Sequence, residues 1–502
     1  MTSLAALSRR DPGDVAVDDG RLRLTWGELD ERSTALARGL EALGVTPGDH
    51  VAICVSNRTE FVEAVLGAWR LGCAYTPLKT GWTADEVGVV VDDARTAVMV
   101  TDRDCARQAA AERHIAVVDL DATYPGWLDA QDRTPLPADR CGFKMPFTSG
   151  TTGRPKGVVM TGSGTVPFAE GWSGLQRWAQ ALELPGDGIH LFLSKLFNGA
   201  PQTFGFGAMA RGATLRILPS WSPDAALAAL ADRRVTSTIM VPTMFRQLLA
   251  LPDVDRRLPP APGLRTLLHG GEPCPAPTKA AIADWFGDVL VEYYGFTEGG
   301  LTVVRRDEWR SRPGTVGRPL PGMHVEIRGE AGELLPPRVE GTVLFRSDRG
   351  RRFRYAGDDA KTAAAHDGDA FGVGDVGWLD EDGYLFLCGR SADVVITAGV
   401  NVYPAEIEQA LSDAAGVADL CAVGVADDER GEVVALYVVV APGADADTVV
   451  RDLRDRATQR LAAYKRPRSV RVVAALPRDE AGKLLRRVMR DRAGADASPP
   501  AP

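Results

Sequence analysis

Residues 148–157 read Thr148-Ser149-Gly150-Thr151-Thr152-Gly153-Arg154-Pro155-Lys156-Gly157, and this stretch decides the fold of the chain. Its glycines allow several backbone N–H groups to converge on one anion, and its hydroxyl groups and lysine add further donors and a positive charge. The order Pro155-Lys156-Gly157 differs from the Gly-Lys-Ser/Thr order of a Walker A loop. The stretch therefore predicts a phosphate-binding loop of another class.

Strand and helix patterns alternate on both sides of this loop. Apolar residues at helical spacing fill 28–43 and 61–71. The short apolar runs that predict strands are 48–55, 74–78, 97–101, 214–218 and 237–241. Because alternating strands and helices build parallel sheets, the sequence predicts an α/β fold with doubly wound sheets.

The composition changes in the second half of the chain. Residues 314–389 are rich in Gly, Pro and short strand patterns, which predicts a β-rich subdomain at the end of an N-terminal domain spanning 1–389. Residues 394–492 form a compact unit whose first helix is predicted over 404–416, with proline at its start and glycine at its end. This unit is predicted to be a small α+β domain, followed by a disordered tail at 493–502.

Further motifs follow the loop in order. Paired glycines in His269-Gly270-Gly271-Glu272-Pro273 come after an apolar run and allow a flat ligand to approach the backbone. The aromatic rings of Tyr293-Tyr294-Gly295-Phe296-Thr297-Glu298 suit a purine, and its carboxylate suits a hard cation such as Mg²⁺. The remaining two motifs are Gly374-Asp375 with Gly389-Arg390, and the segment 477–486 around Lys483.

In this order and at this spacing, the motifs resemble those of the adenylate-forming superfamily. That superfamily includes acyl-CoA synthetases, luciferases and peptide-synthetase adenylation domains, and residues 394–406 closely resemble the acyl-CoA synthetase branch. The flanking pattern extends the resemblance over nearly the whole chain. It implies an enzyme that uses ATP and Mg²⁺, with a hinge at 390–393 and a mobile C-terminal domain.

The resemblance also implies which residues bind the nucleotide. In this family the loop surrounds the β- and γ-phosphates of ATP, the aromatic residue at Tyr294 stacks on adenine, and Asp375 and Arg390 reach the ribose. The residues that the resemblance assigns to nucleotide binding are Thr148, Ser149, Gly150, Thr151, Thr152, Gly153, Lys156, Gly270, Gly271, Glu272, Tyr294, Gly295, Asp375 and Arg390.

The same resemblance implies that Lys483, Thr297 and Glu298 are the catalytic residues. It also implies that Glu298 is the Mg²⁺ ligand. Lys483 matches the lysine that bridges the substrate carboxylate and the α-phosphate. Attack of one anion on another requires positive charge as the pentacoordinate phosphorus forms. A lysine on a hinged domain is able to enter for that step and to leave afterwards.

The substrate pocket is predicted around Lys195, Phe197, Asn198, Phe204 and Gly271, with Phe192 and Phe206 adding to its apolar lining. Asn198 stands where acyl-CoA synthetases commonly carry histidine, and Ala398-Gly399 replaces two consecutive glycines. In relatives that second segment lines the pantetheine tunnel, where an added methyl group hinders CoA. Lys195 suits a small or doubly charged anion, or else faces solvent at the edge of a loop.

Three functions are compatible with these residues. The first is a carboxylic acid–CoA ligase, with CoA as co-substrate. The alternative is a CoA-independent adenylating enzyme of secondary metabolism, such as an ATP-dependent diazotase that activates nitrite for attack by an aromatic amine. A non-catalytic nucleotide-binding relative would require the loss of a catalytic group, yet Lys156, Glu298, Asp375 and Lys483 are all present.

Charge and hydropathy exclude other classes. A net charge of −9 argues against a nucleic-acid surface. The first twenty residues lack the apolar core of a signal peptide, and the longest apolar run, 433–441, is far shorter than the roughly 20 residues of a membrane span. The cysteines show no paired spacing, so we expect reduced thiols. The sequence therefore predicts a cytoplasmic enzyme that acts on small molecules.

Overall fold

The computed structural model describes residues 3–137, 140–148, 155–252, 261–306, 308–397, 399–427, 429–478 and 484–497. The chain forms a large N-terminal part that ends at Arg390 and a small C-terminal part. Each part is built around hydrophobic clusters of its own, so each buries its own core.

The first sheet of the N-terminal part is wholly parallel. Its strands, in order across the sheet, are Ala116–Asp119, Thr96–Thr101, His50–Cys54, Ala74–Pro77 and Phe143–Lys144. The helix Thr59–Leu71 is buried along its whole length, and its charged residues Glu60, Glu63 and Arg70 are buried in ion pairs. The other helices of this region are Trp26–Ala42, Ala84–Ala94 and Asp104–Glu112. The edge strand Phe143–Lys144 leads directly into the predicted phosphate loop.

A second, larger sheet begins as a parallel ladder. Its first strands, in order, are Val15–Asp18, Thr214–Ile217, Ile189–Phe192, Val235–Met240, Thr266–Gly270 and Leu290–Gly295, with Arg23–Thr25 antiparallel at the edge. The accompanying helices are Phe168–Ala181, Gly199–Ala210, Pro223–Leu230, Pro242–Leu249 and Ala276–Phe286. Because the strands are parallel, their carboxyl ends meet at one edge, which is where ligands bind in such sheets.

The same sheet continues as an antiparallel region. Its further strands are Leu301–Val304, Thr315–Pro319, Leu385–Arg390, Asp375–Leu379, Gly341–Ser347, Ala370–Phe371 and His366–Asp367, and Met323–Arg328 pairs with Gly341–Ser347. A separate three-stranded sheet contains Phe147–Thr148, Lys156–Met160 and Phe353–Tyr355. The remaining short helices of the N-terminal part are Leu4–Ser8, Tyr124–Asp129, Glu308–Ser311 and Asp359–Ala364.

The C-terminal part follows a 3₁₀ turn at Ser391–Asp393. Its strands are Val400–Val402, Val395–Thr397, Gly431–Val440, Val417–Asp427 and Ser469–Val472, and its helices are Pro404–Leu411, Ala446–Arg460 and Arg486–Ala497, with a 3₁₀ turn at Ala463–Lys465. The predicted fold class, α/β with a large N-terminal domain and a small α+β C-terminal domain, is confirmed.

Two predicted boundaries differ from the structure. The helix that begins at Pro404 ends at Leu411, five residues before the glycine that was expected to stop it. The last helix runs to Ala497, past residue 493, where the sequence predicts the start of a disordered tail. Met489 and Ala493 are almost fully buried in a hydrophobic cluster of the C-terminal sheet, and this packing holds the helix in place. Residues 498–502 lie outside the described part of the chain.

None of the helices among the described residues combines the length and apolar composition that a bilayer crossing requires.

Candidate active site

The predicted phosphate loop joins two paired strands. Thr148 lies opposite Lys156 in an antiparallel pair, so the intervening residues connect the two strands of a hairpin. The Lys156 ammonium lies 3.4 Å from Oδ2 of Asp358, a residue of the β-rich region. The side chain of Lys156 is therefore directed toward the antiparallel sheet. The predicted phosphate ligands Ser149, Gly150, Thr151, Thr152 and Gly153 lie outside the described residues.

The paired glycines lie where the strand Thr266–Gly270 ends. A Cβ atom on Gly270 would come within 2.2 Å of the Tyr293 carbonyl oxygen, so no side chain fits there. Gly271 has φ +83°, and only the Tyr293 hydroxyl lies near the space that a Cβ would occupy. The backbone at these two positions carries no side chain that would cover it, and the contact with adenine stays a prediction. Glu272 accepts hydrogen bonds from the Thr243 N–H at 2.6 Å and from Nη1 of Arg478 at 2.9 Å.

Tyr294, Asp375 and Arg390 form one contiguous group. The Tyr294 hydroxyl donates a hydrogen bond to Oδ2 of Asp375, and Nε of Arg390 donates to Oδ1 at 3.1 Å. Burial and the neighbouring Asp375 carboxylate raise the pKa of Tyr294 well above its ordinary value. Asp375 is itself buried and adjacent to Arg390 in the paired strands. The structure therefore brings together the three residues predicted to hold adenosine. Gly295 ends the strand that carries Tyr294.

We expect Asp375→Asn to raise the apparent KM for ATP about tenfold or more, because charge-assisted hydrogen bonds are roughly twice as strong as neutral ones. The KM for the acid should change little. Initial rates of pyrophosphate release over a range of ATP concentrations measure this effect. Asp382→Asn is the matched control, since Asp382 lies exposed in a hairpin turn and pairs with Arg312. An unchanged KM for ATP in Asp375→Asn would remove Asp375 from the ribose site.

Glu298 is a second buried carboxylate of the candidate site, besides Asp375. It lies in the tight turn after Tyr294, where the Gly299 N–H donates to the Phe296 carbonyl at 3.1 Å, while neighbouring Thr297 is exposed. The Tyr355 hydroxyl donates to Oε1 of Glu298 at 2.7 Å. Within the described ranges, no lysine or arginine pairs with Glu298, and no three His, Cys, Asp or Glu side chains cluster as a protein-only metal cage.

This arrangement fits Mg²⁺ bound together with a nucleotide. Mg²⁺ prefers oxygen ligands, retains several waters and is usually held by one or two carboxylates together with substrate phosphates. The buried Glu298 carboxylate matches that donor set, because Tyr355 donates to Oε1 and Oε2 remains for the ion. Glu298 would hold the ion, which would neutralise charge on the phosphates. Tyr355 fixes the carboxylate, although no motif in the sequence identifies it.

The predicted substrate pocket lies around the start of the helix Gly199–Ala210. Asn198 is the N-cap residue of this helix, yet its side chain makes no capping hydrogen bond. Phe197 is buried, and half-buried Lys195 lies on the same turn, where its carbonyl accepts the Asn198 N–H. Asparagine at this position normally caps its helix. The Asn198 amide therefore does not serve as the cap of its own helix.

The phenylalanines predicted to line the pocket separate into two groups. Phe204 packs against Tyr293 at 4.7 Å and Trp178 at 5.2 Å between ring centroids, close to the nucleotide strand. Phe192 and Phe206 instead belong to the main core. Phe206 lies 5.3 Å from Trp69, on the side of the first sheet. Of these three, Phe204 is the one near the candidate pocket.

Arg478 links the small domain to the nucleotide side of the large one. Besides its contact with Glu272, it donates to Oδ2 of Asp419 at 2.7 Å, and its backbone pairs with Leu484 in an antiparallel bridge. Arg478 and Leu484 flank the segment that contains Lys483, which lies outside the described residues. Of these two flanking residues, Arg478 contacts the paired-glycine segment through Glu272. The sequence identifies the 477–486 motif. It does not predict the contact between Arg478 and Glu272, because these residues lie far apart in the chain.

We expect Arg478→Gln to slow acid adenylation about tenfold, equivalent to about 1.4 kcal/mol, which is within the range for a partly buried interface ion pair. Thiolation of a supplied adenylate should be unaffected. The two half-reactions are measured separately by pyrophosphate release and thioester formation. The matched control is Arg454→Gln, an exposed position on the helix Ala446–Arg460. Equal losses in both half-reactions would contradict a role in positioning the Lys483 segment for adenylation.

Comparison with known families identifies both parts of the chain. Residues 4–350 match the model of the AMP-binding enzyme, and residues 406–483 match the AMP-binding enzyme C-terminal domain. The chain belongs to the AMP-binding enzyme family. This AMP-binding enzyme therefore has both domains of an adenylate-forming protein, and its relatives support the class of AMP-forming ligases, in the acyl-CoA synthetase branch.

Individual relatives of this AMP-binding enzyme span its whole length. A feruloyl-CoA synthase from Amycolatopsis is 33% identical, with 97% of each chain covered. The amide bond synthetase McbA from Marinactinospora thermotolerans superposes with a TM-score of 0.85 at 29% identity, covering 97% of this chain and 99% of that one. ATP-bound MatB from Rhodopseudomonas palustris gives a TM-score of 0.86 at 28% identity, covering 97% and 98%.

Proposed function

We propose that this enzyme activates a carboxylic acid with ATP and transfers the acyl group to CoA. The single observation that carries the proposal is the convergence of Tyr294, Asp375 and Arg390, with the buried Glu298 carboxylate four residues after Tyr294 in the chain. This group offers an aromatic plane and ribose acceptors next to a site for a phosphate-bound cation. It suits ATP held for chemistry at its α-phosphate.

In the first half-reaction, a carboxylate oxygen of the acid attacks the α-phosphorus, and pyrophosphate leaves. The products are acyl-AMP and pyrophosphate. Lys156 is near the leaving phosphates if the loop binds as its composition predicts, and Lys483 supplies positive charge to the forming phosphorane. The contact of Arg478 with Glu272 supports this role, because it holds the flanks of the Lys483 segment against the nucleotide strand.

In the second half-reaction, the CoA thiolate attacks the acyl carbon, the bond to the AMP oxygen breaks, and the thioester and AMP are released. The similarity to a feruloyl-CoA synthase over 97% of both chains supports CoA as the acceptor. The acid itself is a small molecule that fits between the helix Gly199–Ala210 and the ends of the central strands.

A nitrogen nucleophile is the second candidate acceptor. The uncapped amide of Asn198, where relatives commonly carry histidine, and the similarity to an amide bond synthetase both favour it. In this second reaction the adenylated substrate reacts directly with an amine, and CoA takes no part. Nitrite activated by ATP and attacked by an aromatic amine is one such reaction.

The two candidates are separated by one experiment. Purified enzyme, ATP and Mg²⁺ are incubated with a panel of acids that includes nitrite, each with and without CoA and with and without an arylamine. AMP, pyrophosphate and coupled products are quantified by chromatography and mass spectrometry. Multiple turnovers that require CoA and yield a thioester support the ligase. Turnover with an amine that is indifferent to CoA supports the second candidate, and absence of AMP with every acid contradicts both.

A further inference from the structure

A lysine without a counter-charge lies beside the candidate substrate pocket. Lys144 is on the edge strand Phe143–Lys144, just before the phosphate loop. Its ammonium donates hydrogen bonds to the Gly199 carbonyl at 3.0 Å and to the Thr203 hydroxyl at 2.9 Å. Both acceptors are on the first turn of the helix that follows Asn198. The amine of Lys144 therefore contacts Gly199, which directly follows Asn198, the residue that stands where acyl-CoA synthetases commonly carry histidine.

Among the residues that the structure describes, no carboxylate neutralises the charge of Lys144. Both hydrogen-bond acceptors are uncharged, and none of the carboxylates in the described part of the chain forms an ion pair with it. The nearby helix begins at Gly199, so its positive end adds no negative charge. Burial alone lowers the pKa of Lys144 to about 8. Lys144 is half-buried, and an anion bound beside a partly desolvated ammonium stabilises its charged form.

A cavity of about 320 Å³ adjoins this lysine. Its walls include Lys144, Met160, Leu175 and Arg351. Met160 lies between the cavity and the turn that carries Glu298, since a Cβ on Gly299 would come within 2.9 Å of its methyl group, and Gly299 follows Glu298 directly. The ammonium uses two of its three N–H groups on the helix, so one N–H remains for a ligand.

We propose that Lys144 binds a second anionic group of the acid substrate, so that this enzyme selects acids carrying two negative charges. The inference rests on the proposed adenylation of an acid and names the class of that acid. One carboxylate is activated at the nucleotide, and the second anionic group, most simply another carboxylate, pairs with the ammonium. From sequence, Lys195 is the candidate for such an anion, or else a lysine that faces solvent, whereas the geometry points to Lys144, which is anchored at the helix start beside the cavity.

Matched pairs of acids test the proposal. Each pair contains a dicarboxylic acid and its monomethyl ester, so that only the second charge differs. We expect Lys144→Met to lower kcat/KM for the diacids about 10- to 100-fold and to leave the monoesters nearly unchanged. Lys144→Arg should restore part of the preference. The control is Lys79→Met, whose ammonium lies over Trp82 in the first sheet domain. Equal losses for both members of each pair would overturn the proposal.

A second measurement uses the unaltered enzyme and requires no turnover. The chain has eight lysines, few enough for the ε-methylene signals of isotope-labelled lysine to be resolved by NMR. The other titratable or charged side chains on the same cavity are Cys141, whose pKa burial raises to about 12, and Arg351. We expect bound diacid to raise the pKa of Lys144 by about one unit or more, and monoester to leave it unchanged.

The outcomes separate the two proposals. Turnover of monoacids together with no diacid effect on the pKa of Lys144 overturns the second-charge proposal and leaves adenylation intact. A diacid-specific pKa rise without AMP formation from any acid supports the anion subsite and contradicts the ligase. Identical pKa values with both ligands, at concentrations where binding is saturated, overturn the proposal whatever the turnover.

Discussion

Replacing Lys483 by methionine should abolish most acid adenylation while sparing thioester formation from a supplied acyl-AMP. Removing one preorganised positive donor from a transition state costs about 10²- to 10³-fold in rate, and an anion–anion reaction depends on such charge more than most. The second half-reaction has a neutral acyl carbon as its electrophile and needs no charge at the α-phosphate. Single-turnover pyrophosphate release measures the first half-reaction, and thioester formation from synthetic acyl-AMP measures the second.

Arg487→Met is the control for the Lys483 substitution. Arg487 lies on the same C-terminal segment, is exposed, and belongs to the last helix. Its replacement removes one positive charge from the small domain without touching the motif. If Lys483→Met slows both half-reactions equally, or if Arg487→Met is as damaging, Lys483 acts through domain stability or general charge and not at the α-phosphate.

Glu298→Gln should give the second largest effect, a loss of about 10²-fold in adenylation with a requirement for much more Mg²⁺. Glutamine keeps an oxygen that accepts the Tyr355 hydrogen bond, so the turn is preserved, but the negative charge that attracts the cation is lost. Pyrophosphate release at increasing Mg²⁺ concentration measures the shift.

Tyr355→Phe is the comparison for Glu298→Gln. It removes the hydrogen bond that orients the carboxylate but leaves its charge, so we expect a loss of about tenfold or less. An identical Mg²⁺ dependence in wild-type enzyme and Glu298→Gln would show that Glu298 does not hold the metal. Adenylation that is insensitive to the Glu298 substitution would also remove this carboxylate from the active site.

The sequence makes its most specific predictions on the nucleotide side of the candidate site, because that chemistry depends on short local motifs. Tyr294 and Glu298 supply an aromatic ring and a carboxylate four residues apart, while the paired glycines Gly270 and Gly271 come more than twenty residues earlier. Tyr294, Asp375 and Arg390 are separated along the chain, yet the family motifs identify each of them, and they lie in hydrogen-bond contact. The alternation of strands and helices likewise predicts the parallel sheets.

Contacts between distant segments are the part that sequence does not predict. The ammonium of Lys144 reaches the start of a helix more than fifty residues later. Arg478 contacts Glu272 across the two domains, and Tyr355 reaches back to Glu298. The residues next to each partner in the sequence form no motif that indicates the contact. The packing of sheets and domains brings the pairs together. The continuation of the last helix past residue 493 depends in the same way on burial of Met489 and Ala493.

The measurement that tests adenylation most directly follows oxygen from the acid into AMP. The enzyme is incubated with ATP, Mg²⁺, CoA and an acid whose carboxylate oxygens are both ¹⁸O, and the AMP is analysed by mass spectrometry. Attack of the carboxylate on the α-phosphorus, followed by cleavage of the acyl carbon–oxygen bond, predicts one ¹⁸O in every AMP released. AMP without ¹⁸O, formed in amounts matching the thioester, would contradict an acyl-adenylate intermediate and with it the proposed function.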